Sequence, residues 1–139
     1  MFKKLMYMVI LFAAVLMFSC STKPTIIITE AQVDKKVDVA VNTVFAVKLK
    51  GQLGTGYSWK IVSKLEGFEL IGKPEVVTLG EKKTSGTDYQ IFNFMAKKVG
   101  QWELKLNYLQ PWKKGVKPYK TFKSVINIQA PIDNSKEKK

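Results

Sequence analysis

Three short segments of this chain combine glycine or proline with hydroxyl or aromatic residues. Residues 54–59 read GTGYSW, residues 84–89 read TSGTDY, and residues 110–112 read QPW. Each segment lies between two strand-like runs, and loops held by a rigid sheet are where β proteins place their binding residues. The pattern therefore predicts a binding surface built from several loops at one end of a β-sandwich.

The residue types that most catalytic sites need are missing. The chain has no histidine, which removes the usual general base, the usual zinc ligand and the Ser-His and Cys-His nucleophile pairs. Its carboxylates show no clustering that suggests a catalytic dyad, and no glycine-rich phosphate loop opens a helix. We therefore expect no catalytic residues, no metal ion and no cofactor, so the protein is interpreted as a binding module rather than an enzyme.

The first 20 residues have the composition of an export signal. Two lysines precede an uncharged apolar run over residues 5–18, which is shorter than the roughly 20 residues that cross a bilayer. Cys20 follows a serine and is the only cysteine, so it cannot form an internal disulfide. A cysteine directly after a small residue resembles a bacterial lipoprotein cleavage site, although Met17 stands where leucine is preferred.

Four segments follow from this interpretation. We predict a signal peptide at 1–19, a lipidated tether at 20–24, one folded domain at 25–130 and a charged tail at 131–139. A lipid on Cys20 would anchor the protein to a membrane of the cell envelope after export across the inner membrane. The alternative is an ordinary signal peptide followed by an incidental cysteine.

The chain is strongly basic, with 23 Lys+Arg against 11 Asp+Glu and a net charge of +12. Such a charge favours acidic partners, anionic lipid headgroups or nucleic acid. The lysines are spread along strands and turns, however, with no basic helix and no arginine-rich stretch. This distribution favours a solvated surface, and export argues further against nucleic acid as a partner.

Apolar and polar residues alternate through much of the chain beyond residue 24, most clearly over residues 45–49 and 102–108. A period of two marks strands with one buried face, and no segment shows a sustained helical period. Seven or eight such strands predict an all-β fold, an immunoglobulin-like antiparallel β-sandwich. A small closed barrel is the alternative, because periodicity does not decide closure.

Two tryptophans are expected to differ in role. Trp59 occupies the position at which such sandwiches bury a tryptophan, and it is predicted to lie in the core. The other aromatic residues predicted to fill the core are Phe45, Phe94 and Trp102. Trp112 follows a proline outside any alternating run, which predicts a loop. An indole on a lysine-rich loop is typical of a binding hot spot, and a lid packed on the sheet edge is the alternative.

The three loops resemble those of the chagasin-like inhibitors of papain-family cysteine peptidases. In that family the first loop reads Asn-Pro-Thr-Thr-Gly-Tyr/Phe, then one residue and Trp. The second loop carries Gly-Gly-Thr, and the third carries Arg-Pro-Trp. Here the matching residues are QLGTGYSW at 52–59, SGT at 85–87 and QPW at 110–112, in the same order. The resemblance covers roughly residues 25–129.

This resemblance implies a reversible, non-covalent inhibitor that occludes the peptidase cleft with three loops and stays intact. Residues 52–56 would enter the cleft, residues 85–87 would contact one wall, and residues 111–112 would stack on aromatic residues of the other. The residues implied to bind the peptidase are Leu53, Gly54, Thr55, Gly56, Tyr57, Ser85, Gly86, Thr87, Pro111 and Trp112.

The first and third loops depart from the family pattern. Leu53 replaces the stiffening proline, Gly54 replaces a threonine that in the family reaches the active centre, and Gln110 replaces an arginine. We expect a more mobile first loop with a higher ordering cost on binding. Two other functions stay open. One is an immunoglobulin-like surface lipoprotein for adhesion or envelope assembly; the other is a carrier of an apolar ligand, which would need a lined cavity.

Overall fold

A computed structural model describes residues 23–79 and 87–131, and nine strands and two 3₁₀ helices lie within these ranges. The strands are β1 (Ile26–Ile28), β2 (Lys36–Ala40), β3 (Val44–Gly51), β4 (Ser58–Ile61), β5 (Phe68–Leu70), β6 (Glu75–Leu79), β7 (Thr87–Ala96), β8 (Gly100–Leu109) and β9 (Lys120–Gln129). The 3₁₀ helices are Glu30–Gln32 and Leu53–Thr55. The predicted signal peptide, Cys20, Ser85, Gly86 and nearly all of the charged tail lie outside the described residues. In the described part of the chain, no helix has the length and hydrophobicity of a membrane span.

The strands form two facing sheets, as predicted for a sandwich. One sheet has the order β1-β3-β7-β5, with β6 also paired to β7, and the other has the order β2-β9-β8-β4. Strands β5 and β6 pair with successive parts of β7, so they act as one edge strand interrupted at residues 71–74. That interruption, where the sequence has Gly72 and Pro74, accounts for a ninth strand beyond the seven or eight predicted.

The sandwich is not wholly antiparallel, which corrects the sequence prediction. β1 pairs with β3 in parallel, and β2 pairs with β9 in parallel. After β1 the chain crosses to the other sheet as β2 and then returns as β3, so β1 and β3 are neighbours with no hairpin between them. Each of these short strands therefore lies beside a strand that runs in its own direction.

Alternating inward side chains of both sheets fill the core. Phe45, Phe94, Leu104, Leu106, Phe122 and Ile126 are each fully buried. Trp59 is buried as predicted, whereas Trp102, also predicted to be inward, is only half-buried at the margin of this core. Its indole lies against Gly67, where an added Cβ would come within 2.1 Å of the indole nitrogen, and that nitrogen donates to the Lys98 carbonyl at 2.9 Å.

Strand directions bring the predicted loops to one end of the sandwich, termed the loop end. β3 and β8 finish there, and β4, β7 and β9 start there, as shown by the pairs Gly51–Asp88, Ser58–Leu109 and Tyr108–Lys120. The loop end therefore carries residues 52–57, residues 110–119 and the start of β7. The opposite end carries the turns at residues 41–43 and 97–99.

Candidate functional site

The first loop, residues 52–57, is built around the 3₁₀ helix Leu53–Thr55. The Thr55 amide donates to the Gln52 carbonyl at 3.2 Å, and the Gly56 amide donates to the Leu53 carbonyl at 3.0 Å. The Thr55 hydroxyl donates to the same Gln52 carbonyl. Gly56 then adopts a φ of 83°, in the left-handed region that glycine enters without steric cost. The loop thus forms internal hydrogen bonds although it lacks the proline of the family pattern.

Two side chains attach the start of this loop to both sheets. The Gln52 amide donates to the Tyr108 hydroxyl of β8 at 2.7 Å, and the Leu53 amide donates to the Asp88 carboxylate of β7 at 3.1 Å. The second Asp88 oxygen accepts from the Thr78 hydroxyl of β6 at 2.7 Å. Because a carboxylate acceptor strengthens such bonds, Asp88 fixes the first loop to the strands that border the second one.

A buried glutamine links the two sheets directly beneath the loop end. Gln90 Oε1 accepts from the Trp59 amide at 2.9 Å, and Gln90 Nε2 donates to the Trp59 carbonyl at 3.1 Å. The Trp59 indole nitrogen donates to the Lys50 carbonyl at 3.0 Å. Buried polar groups are costly when left without a partner, so these hydrogen bonds hold β4 in place relative to β3 and β7. The first loop spans the gap between β3 and β4 and is positioned accordingly.

Aromatic rings join the ends of the first and third loops. Tyr57 stacks on Tyr108 with centroids 5.3 Å apart, and Tyr119 lies 5.9 Å from Tyr57. The Tyr119 amide donates to the Tyr108 carbonyl at 2.9 Å, while its side chain is 71% exposed. The cluster therefore runs from the core to the solvent between the two loops.

The third loop, residues 110–119, contacts the first loop through two side chains. Gln110 Nε2 donates to the Thr55 carbonyl at 3.3 Å. The Trp112 indole lies against Gly56, where an added Cβ would fall 2.0 Å from Trp112 Cη2. The indole nevertheless remains 63% exposed, so it presents its surface outward and is not a buried lid.

The structure places most of the predicted binding residues at this one end. Residues 53–57, Pro111 and Trp112 share the loop end, and Thr87 begins β7 beside Asp88. Gly54 is exposed, and no atom lies within 4 Å of the position that its Cβ would take. The first and third loops are therefore in contact, and Thr87 marks where the second loop enters the sheet.

Sequence reasoning missed the residues that hold these loops in place. They are Gln52, Asp88, Gln90, Tyr108 as a hydrogen-bond acceptor, and Tyr119. Only Gln90 leaves a signal, since a polar residue occupies the inward register that continues through Phe92 and Phe94. Among the described residues, no three acidic, cysteine or histidine side chains lie close enough together to hold a metal ion. The first loop, which contains no charged residue, offers a partner backbone, hydroxyl and aromatic surface.

Comparison with known proteins agrees with this geometry. The cysteine protease inhibitor EhICP2 from Entamoeba histolytica matches with a TM-score of 0.66 and 22% identity, covering 77% of this chain and 100% of that one. The solution structure of amebosin matches with a TM-score of 0.60 and 26% identity, covering 77% and 100%. These likenesses show the fold. No curated protein matches the chain.

A family model supplies the assignment. The model described as Chagasin family peptidase inhibitor I42 matches residues 38–126, more than half of the 139 residues. The matched span runs from β2 into β9 and includes both loops that meet at Trp112 and Gly56. The chain belongs to the chagasin family of peptidase inhibitors.

Proposed function

We propose that this protein is a reversible, non-covalent inhibitor of papain-family cysteine peptidases that covers the active-site cleft with its loop end. The observation that carries the proposal is the contact between Trp112 and Gly56, which joins the first and third loops into one continuous surface. The family assignment gives the class of activity, and EhICP2, a structure of the same fold, is described as a cysteine protease inhibitor.

The first loop is suited to entering a cleft. Residues 52–57 carry no charge, and Gly54 at the exposed part of the loop leaves the backbone open to close approach. The amides of Gln52 and Leu53 are already bonded to Tyr108 and Asp88. Because these bonds exist in the free protein, they offset the ordering cost expected from the missing proline, and preorganisation of this kind raises affinity.

The inhibitor is expected to survive the encounter. Residues 53–55 form a 3₁₀ turn with two backbone hydrogen bonds, so their peptide bonds are not in an extended geometry that a peptidase could cleave. Pro111 and Trp112 would cover one wall of the cleft, with the exposed indole as the main apolar contact. Residues 85–87 would meet the other wall. In this role the protein binds a peptidase and catalyses no reaction itself.

Titration of the purified protein against papain, with hydrolysis of a small substrate as the readout, tests this proposal. We expect stoichiometric inhibition that reverses on dilution, and an inhibitor of unchanged mass after prolonged incubation. Trypsin, a serine peptidase, serves as the control and should remain active. Full papain activity at a large excess of the protein would reject the proposal and favour an adhesion or assembly role for the domain.

We further propose that the protein is exported and anchored by a lipid on Cys20. The support is the apolar run that ends before this cysteine. The chain enters the domain at the end opposite the loops, where the Thr25 amide donates to the Val44 carbonyl at 2.8 Å. An anchor there would leave the loop end facing away from the membrane and accessible to a peptidase.

Fractionation of cells that express the Cys20→Ala variant tests the anchor. The wild-type protein should be recovered with membranes and should carry a lipid on its first residue by mass spectrometry. The variant should be soluble or uncleaved. A wild-type protein with a lipid-free N-terminus and the same fractionation as the variant would contradict the anchor.

A further inference from the structure

Charge is divided unequally between the two loops that meet at Trp112. Residues 52–57 contain no charged side chain, whereas residues 110–120 contain four lysines and no acid. All four lysines are exposed, and they are Lys113, Lys114, Lys117 and Lys120. Three of these lysines lie in the third loop and Lys120 begins β9, so residues 110–120 form a cationic flank beside an uncharged first loop.

Within the described residues, these lysines are not neutralised by ion pairs. The two ion pairs there join Lys97 to Glu69 and Lys123 to Glu103. The carboxylates of Asp88 and Glu30 accept hydrogen bonds from the amides of Leu53 and Lys50. The charge of the third loop is thus available to a partner.

The cationic flank also contains a small cavity and exposed apolar side chains. Val116 and Tyr119 are 62% and 71% exposed, and they alternate with the lysines. Lys113 and Lys117 border a cavity of about 110 Å³ that is also lined by Tyr57 and Gln110. A cavity bordered by two lysines and a glutamine is suited to a carboxylate side chain from a partner, because lysine and amide groups donate hydrogen bonds to carboxylates.

We propose that the third loop selects peptidases whose surface beside the cleft is acidic. This inference rests on the proposed function, because Trp112 and Gln110 touch the first loop and so place the lysines at the margin of the surface that covers the cleft. Charges at such a margin steer association and choose among partners more than they set the dissociation rate. The lysines thus decide which papain-family peptidase is captured fastest, and the first loop supplies the contacts common to all of them.

Association rates of two triple variants test the proposal. Lys113→Gln, Lys114→Gln and Lys117→Gln are combined in one variant. The matched control combines Lys64→Gln, Lys73→Gln and Lys98→Gln, which are exposed residues outside the loop end. Both variants lose the same charge. Rates are measured by stopped flow with a papain-family peptidase chosen for an acidic surface beside its cleft, and with a second chosen for a basic one.

Ionic strength separates the expected result from its alternatives. Between about 0.01 M and about 0.15 M, where the screening length falls from roughly 30 Å to roughly 8 Å, the wild-type association rate with the acidic peptidase should drop steeply. The loop variant should associate about tenfold more slowly at low ionic strength and lose most of the salt dependence. Its dissociation rate and the rates of the control should stay within about twofold of wild type. With the basic peptidase the effect should reverse: the loop variant should associate faster than the wild type at low ionic strength, because the removed lysines no longer repel a surface of like charge.

Other outcomes overturn the inference in distinct ways. An equal decrease of the association rate in both triple variants would show that net charge causes the effect and not the position of the lysines in the loop. Inhibition with no salt dependence and no change in the loop variant would reject the inference and leave the proposed function standing. Binding to phosphatidylserine vesicles that disappears in the loop variant, with peptidase association unchanged, would assign the lysines to a lipid surface. If neither peptidase were inhibited, the proposed function would be rejected, and the inference with it.

Discussion

The two ends of the core are built from different kinds of aromatic residue. Near the end opposite the loops, Phe45, Phe68 and Phe94 form a cluster with centroids 5.3 to 5.5 Å apart. At the loop end, the corresponding rings belong to Trp59 and Tyr108, whose centroids are 5.1 Å apart. The phenyl rings carry no polar atom, whereas the indole and the phenol each hydrogen-bond a backbone group at the rim of the first loop.

This difference separates stability from positioning. Apolar burial is non-directional, so the phenyl cluster stabilises the domain without specifying where a loop must lie. The hydrogen bonds of Trp59, Tyr108 and Gln90 are directional, and an arrangement that leaves them unmade is penalised by desolvation. At the loop end, Trp59 and Tyr108 therefore do two things. Their rings pack in the core, and their hydrogen bonds hold the binding surface in place.

The largest effect is expected from truncating one aromatic residue at each end. Trp59→Ala and Phe94→Ala should each lower the free energy of unfolding by roughly 3–5 kcal/mol, as is usual for buried aromatic residues. Only Trp59→Ala should also weaken inhibition by the fraction that remains folded, since it removes the bond to the Lys50 carbonyl. Denaturant unfolding and papain titration measure the two quantities. Equal inhibition by both folded variants would erase the proposed difference between the ends.

Gln90→Leu sharpens the comparison without a large change in volume. The substitution leaves the Trp59 amide and carbonyl without their side-chain partners, and at about 1–3 kcal/mol for each buried group we expect a loss of about 3 kcal/mol. Phe92→Leu, two residues along the same inward face, is the control and should cost less. Stability is measured by denaturant unfolding, and inhibition by papain titration. If Gln90→Leu lost no more stability than the control, the link between the sheets would be unimportant.

The same comparison explains what the sequence could and could not predict. Strand positions and the core near Phe45 and Phe94 follow from a period of two, because burial alternates along a strand. Asp88 carries no such signal and Gln90 only its place in the inward register, because their partners lie 35 and 31 residues away and a polar strand residue usually faces solvent. The parallel pairings of β1 and β2 were missed for a related reason, since no local pattern records which sheet the chain enters next.

Trp112→Ala tests the surface of the loop end apart from its core. We expect inhibition to weaken by about 2 kcal/mol or more, which is typical of a hot-spot tryptophan. Stability should change by less than about 0.5 kcal/mol, because the indole is mostly exposed. Val99→Ala, at the opposite end and 59% exposed, is the control and should affect neither quantity. A variant that unfolds, while its folded fraction inhibits like the wild type, would show that the indole is structural.

The smallest effect is expected from substituting two glycines with positive φ, only one of which contacts the Trp112 ring. Gly56 and Gly72 both have positive φ, 83° and 65°, so Gly56→Ala and Gly72→Ala should each lose about 1 kcal/mol of stability. An added Cβ meets nothing within 4 Å at Gly72, but at Gly56 it overlaps the Trp112 ring. Gly56→Ala must therefore move the indole and should weaken papain inhibition several-fold, whereas Gly72→Ala should inhibit like the wild type. If the two variants inhibited equally well, the placement of Trp112 on the first loop would not contribute to binding. The contact between Trp112 and Gly56 would then no longer support the proposed function, even if the fold is correct.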